Sequence, residues 1–177
     1  MSLISPIDQS MQQQVIDEVT CYCGLASLLY EYHFTMIPVT FDLRGKVAGM
    51  YCVKGQTNSL QRSIRFNPWL FAKYPDDSWQ STIPHEVAHY IVDCLYSMRA
   101  VRPHGKEWKK VMVQLGAKPD IYGKYNLGGI PVRQMKRYAY QCGCRHVMLS
   151  AYRHHKIQRG QRRYCCCDCA TELKYAQ

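Results

Sequence analysis

Residues 81–95 read STIPHEVAHYIVDCL, an apolar run interrupted by two histidines and a glutamate. Apolar side chains at this density must be buried, and a helix is the simplest way to bury them. His85 and His89 then stand one turn apart on one face, with Glu86 beside them. A buried glutamate costs free energy unless it titrates or finds a partner. A metal ion held by both imidazoles is such a partner, and H-E-x-x-H is the spacing that sets two imidazoles and a general base around Zn²⁺. Zinc polarises a carbonyl and lowers the pKa of a water toward about 7, and Glu86 would take that water's proton. The plainer alternative is a pair of hydrogen-bonded core histidines with Glu86 at the surface. Ser81 is predicted to cap the helix and Pro84 to sit in its first turn, where a missing N–H costs little.

A catalytic zinc usually takes three protein ligands and keeps one position open. The longer histidine pattern is absent, because Val92 and Leu95 occupy the positions it needs. His104 and Glu107, in RPHGKEW, are the candidates for the third ligand. They lie at the start of a helix predicted over 103–115 and ended by Gly116. His104 is favoured: it lies 15 residues beyond His89, far enough for the chain to finish one helix and turn back. Asp93 falls four residues after His89. A solvated face is its commoner setting; a hydrogen bond to that imidazole is the other.

Elsewhere the period of Val15, Val19, Cys23, Ala26 and Tyr30 predicts a helix over 8–32. Cys21 and Cys23 point to opposite sides of it, so Cys23 reads as core rather than ligand. IPVTFDL, VAGMYCV and RSIRFN predict a small antiparallel sheet over 36–67. PWLFAKYP reads as a short helix or turn, DDSW as a loop, and the Gly- and Pro-rich segment 117–136 as a linker. The opening MSLISPIDQS lacks a basic stretch followed by an apolar one, and no apolar run approaches 18 residues, so a cytoplasmic protein with no membrane span is expected.

In a reducing compartment, clustered cysteines are metal ligands before they are disulfides. Six of the ten cysteines lie within 142–169. Cys142 and Cys144, with Cys166 and Cys169, offer two pairs of thiolates suited to a structural zinc. Cys165 and Cys167 are extra and could shift the register, and His146, His154 or His155 could replace a thiolate. Charge is also one-sided. Residues 1–100 hold 7 Lys and Arg against 9 Asp and Glu, whereas 101–177 hold 16 against 4. That asymmetry points to a polyanionic partner. Between the cysteine pairs, Arg145, Arg153, Lys156, Arg159, Arg162 and Arg163 alternate with Tyr152 and Tyr164, the mix of cations and stacking rings that nucleic-acid binding uses. This segment reads as a β-hairpin turning at HHK.

PHEVAH followed by PHGKEWKKVM resembles the SprT family of zinc metalloproteins, which includes the DNA-dependent protease Spartan. His85, Glu86, His89 and His104 match its site residue by residue, and IRFNPWLF resembles the strand that precedes its active helix. The terminal turns around Tyr140 and Tyr164, with Leu173 beyond, resemble its zinc ribbon. The resemblance runs from about residue 10 to 174, and the length is like that of the short bacterial members. It implies an α+β fold: a zincin-like metalloprotease domain over 1–133 and a zinc ribbon over 134–177. It further implies Glu86 as catalytic base, one catalytic and one structural zinc, and DNA-bound or DNA-crosslinked proteins as substrates. A nucleic-acid-binding zinc protein with weak or no proteolysis is the alternative, and hydrolysis of another bond is a third reading. No small-molecule cofactor is evident.

Overall fold

The stripe of Val15, Val19, Cys23 and Ala26 builds the first helix. In the computed structural model, which describes residues 4–56, 59–97, 100–121, 123, 125–132 and 135–176, α1 spans Gln9–Tyr30 and those four residues form its buried face. Asp8 caps it, accepting the Met11 N–H at 2.8 Å. The chain divides into two compact units, Met1–Val132 and Arg133–Gln177. Among the described residues, no helix is long and apolar enough to cross a membrane.

In the first unit, β1 (Val39–Thr40), β2 (Gly49–Lys54) and β3 (Gln61–Phe66) form a sheet in the order β1-β3-β2. β2 and β3 are antiparallel, with Tyr51 opposite Ile64. β1 runs parallel to β3, so the sheet is mixed and not purely antiparallel as the sequence predicts. The short β2–β3 connection occupies one edge of β3 and leaves β1 only the other, in the direction set by the chain returning from α1.

Asn67 closes β3 and opens α2 (Pro68–Lys73). It is fully buried. Its Oδ1 accepts the N–H groups of Trp69 and Leu70, and its Nδ2 donates to the carbonyls of Gly45 and Val47. Asn67→Ala removes a helix cap and takes the donor from two part-buried hydrogen bonds to the Gly45 and Val47 carbonyls, so it is expected to destabilise the first unit by about 1–3 kcal/mol in urea denaturation.

DDSW is helical, not a loop. α3 (Pro75–Asp77) leads into a π-helical turn over Ser78–Thr82 and directly into α4 (Ile83–Tyr96). The Ile83 N–H reaches back five residues to the Ser78 carbonyl. Pro84 explains the wide turn: its ring has no N–H and would collide with a carbonyl four residues back. Because the chain enters α4 already helical, Ser81 does not cap it, and Thr82 at the boundary makes no capping bond. α4 is buried nearly all round, by α1, α5 (Lys106–Gln114) and β2. α5 starts three residues later than predicted and ends as expected, with Gly116 at φ +77°.

The segment after Gly116 is not a free linker. Ala117 and Ile130 are buried, Ile121 packs on the core, and Lys73 donates to the carbonyls of Asn126 and Gly128.

In the second unit, β4 (Arg137–Gln141) pairs with β5 (His146–Ser150) and with β6 (Lys174–Tyr175). The predicted hairpin across 147–163 is absent. β5 pairs back onto β4, and Ser150 then caps a helix, α6 (Ala151–Gln158), by accepting the Arg153 N–H. Tyr140, Leu149, Cys166 and Leu173 form the small core. Both units combine helices with a small sheet, so the α+β class read from the sequence holds.

Candidate metal centres

Three imidazoles converge in the first unit. His85 and His89 come from successive turns of α4. His104 comes from the turn before α5, where it takes a left-handed backbone, φ +55°. That conformation is uncommon for a residue with a side chain and is concentrated at functional sites. The Nε2 atoms lie 3.3 Å (His85–His89), 3.0 Å (His89–His104) and 3.0 Å (His85–His104) apart. Each neutral Nε2 is either a donor or an acceptor, so hydrogen bonds cannot satisfy all three sides of this triangle. An ion bound tetrahedrally by nitrogens about 2.0–2.1 Å away spaces them about 3.3 Å apart, close to what is observed. Burial first, then repulsion from His104, holds His85 down to about 4; burial holds His89 down to about 3. His104 is lowered by burial as well, so the rings are neutral at ordinary pH, the form in which an imidazole can bind a metal. Trp108 packs against them, 4.7 Å from His85 and His104 between ring centroids, and donates its indole N–H to the His85 carbonyl. Among the described residues, Glu107 is not in this group.

Glu86 is buried beside the triad. Its Oε2 accepts the Tyr51 N–H of β2 at 2.7 Å. Burial raises its carboxyl to about 8, against the lowering effect of that bond. A cleft of about 550 Å³ opens over His85 and Glu86, with Gly49, Thr82, Asp120 and Tyr125 on its walls. Asp120 also hydrogen-bonds His85 through its backbone. Asp93 does not lie on a solvated face. It is buried and accepts from Tyr51 Oη at 2.9 Å and Arg62 Nε at 2.7 Å.

In the second unit, the sulfurs of Cys142, Cys144, Cys166 and Cys169 cluster within 4.8 Å of one another. The Cys144 sulfur lies 3.4 Å from that of Cys142 and 3.6 Å from that of Cys166. Thiolates about 2.3 Å from a tetrahedral ion would be about 3.8 Å apart. Thr171 holds Cys169 down to about 6 through side-chain and backbone hydrogen bonds, and the backbone of Cys169 and Asp168 lowers Cys166. Backbone N–H groups aimed at sulfur favour the thiolate form that binds metal. Cys165, Cys167, His146, His154 and His155 are not in the cluster. His154 instead stacks on Tyr138 at 3.6 Å and shares a 3.0 Å hydrogen bond with Tyr140 Oη.

Residues 25–136 match the SprT-like family profile. Protein SprT of Vibrio parahaemolyticus is 36% identical over 153 residues, covering 86% of each chain. Protein SprT of Pasteurella multocida is 34% identical over 164 residues, covering 92% of this chain and 93% of the relative. The chain belongs to the SprT-like family. Protein SprT of Shewanella oneidensis is 29% identical over 168 residues and is covered end to end.

The basic residues of this SprT-like chain take a different form from the predicted hairpin. Tyr152, Arg153 and Lys156 lie on α6, Arg159 caps its end, and Arg162 and Arg163 follow. Lys156 sits 4.5 Å over the Tyr152 ring and Arg153 5.5 Å over Tyr164. Arg145 pairs with Asp168 at 2.9 Å and Arg163 with Glu172 at 3.8 Å, so part of the charge is offset locally. Sequence reasoning missed Gly49, Tyr51, Asp120 and Tyr125 at the SprT-like site. Each is far from PHEVAH in the chain and carries no motif of its own.

Proposed function

We propose that this chain is a zinc metalloprotease acting on proteins bound or crosslinked to DNA. The observation that carries the reading is the triangle of Nε2 atoms beside a buried carboxylate at a cleft. His85, His89 and His104 suit zinc by donor type and spacing, in a zincin-like arrangement. Zinc there would supply a Lewis acid that polarises a peptide carbonyl and brings a water toward a pKa of about 7. The positive charge also favours the carboxylate form of Glu86. Glu86 takes the proton of the attacking water and gives it to the leaving amine. The Tyr51 N–H fixes the carboxylate oxygen that does not accept this proton. Burial of Glu86, beside imidazoles that are themselves partly buried, strengthens the charge interactions at the site.

Cys142, Cys144, Cys166 and Cys169 would hold a second, structural zinc, making the second unit a zinc ribbon. Its basic face would hold DNA: Arg153, Lys156 and Arg159 on α6, with Arg145, Arg162, Arg163 and Tyr152 around it. The test incubates wild type and Glu86→Gln with a protein crosslinked to DNA. Cleavage by wild type alone supports the protease. DNA binding by both without cleavage leaves a nucleic-acid-binding zinc protein. Replacing Arg159 and Arg162 together by glutamine is expected to weaken DNA binding uniformly across sequences. It should reduce the slope of log affinity against log salt by about 1.4–1.8, measured by fluorescence anisotropy.

A further inference from the structure

β2 places a glycine opposite the carboxylate of Glu86. A Cβ built on Gly49 would lie 2.6 Å from Glu86 Cγ and 2.7 Å from Oε1. Real Cβ atoms do not approach neighbours so closely, so Glu86 fills the space that the missing side chain leaves. Gly49 does not have a positive φ, so its role here is space and not backbone freedom. Two residues along the strand, Tyr51 holds α4 at two points. Its N–H donates to Glu86 Oε2 at 2.7 Å, and its hydroxyl donates to Asp93 Oδ2 at 2.9 Å. Glu86 and Asp93 are seven residues apart, two turns along one face of α4. Arg62 of β3 donates its Nε–H to the same Asp93 oxygen, Oδ2, at 2.7 Å and neutralises its charge. A slip of β2 against α4 would break both Tyr51 bonds at once.

We propose that Gly49 and Tyr51 are positioning residues for Glu86: the glycine makes the room, and the tyrosine, locked by Asp93 and Arg62, sets the carboxylate's orientation. This rests on Glu86 being the general base, and its test separates the two ideas. In the full chain, Gly49→Ala is expected to lower kcat about 100-fold, the cost of a displacement near 1 Å, with KM and metal content unchanged. In a Glu86→Asp background, where the carboxylate is withdrawn from Gly49, the same substitution should cost far less. Equal losses in both backgrounds, or loss of metal from Gly49→Ala, would overturn the proposal. A second readout needs no activity. The Tyr51 amide proton, deshielded by a short bond to a carboxylate, should move upfield by NMR in both Gly49→Ala and Glu86→Ala. An unmoved Tyr51 resonance in Gly49→Ala refutes positioning even if the protein proves inactive; a resonance that moves in Gly49→Ala, when the wild type shows no cleavage, upholds positioning and removes only the protease reading.

Discussion

Glutamine in place of Glu86 is expected to slow cleavage of a DNA-crosslinked protein by about 10³-fold. The amide has nearly the shape of the carboxyl group, so the three imidazoles, Trp108 and the cleft should keep their places. Its oxygen can still accept the Tyr51 N–H, but it cannot take a proton from water or return one to the leaving amine. Metal content and DNA affinity should match wild type. Stability separates function from folding. Glu86 is a buried acid whose carboxyl is pushed up to about 8 by desolvation. A neutral amide there avoids that penalty, so the variant should melt at or above the wild-type temperature. Single-turnover cleavage and thermal melts measure both effects. A loss of less than about tenfold would remove Glu86 from the role of general base.

Cys166→Ser, or chelation of the wild type, is expected to unfold the second unit while the first stays folded. The second unit has 45 residues, Arg133–Gln177, and its buried apolar core among the described residues is Tyr140, Leu149, Cys166 and Leu173. A core that small does not hold a domain of this size without a staple. A structural zinc supplies about 10–16 kcal/mol, far more than such a domain's margin. Cys166 is the buried member of the quartet, so its loss removes both a ligand and a core side chain. By NMR, amide dispersion should collapse for the second unit and persist for the first. In Cys166→Ser metal content should fall by one equivalent, and DNA binding should go with it. A second unit that kept its dispersion after chelation would show that packing alone holds it.

The parts legible in the sequence are those whose chemistry is local. PHEVAH predicts its own helix because apolar residues surround the polar ones at helical spacing. The stripe from Val15 to Ala26 predicts α1 for the same reason, and Gly116 predicts the end of α5. The spacing of the cysteines points to Cys142, Cys144, Cys166 and Cys169, and the same four sulfurs gather in the structure. The errors fall where a neighbour decided. DDSW has loop composition, but Pro84 downstream turns it into a wide helical turn. HHK looks like the tip of a hairpin, yet β4 had already taken the pairing edge of β5, and Ser150 started a helix instead.

The chain's own order of residues determined which side chains could bind a metal: an imidazole pair one turn apart, a third after a turn, and thiols in two close pairs. Only the tertiary structure decided between His104 and Glu107, because the choice depends on a left-handed turn that swings one ring back to α4. It also decided that Asp93 is buried and that β2 grips Glu86. Those contacts join residues 31–42 positions apart, and no local spacing encodes a distance across a packed core.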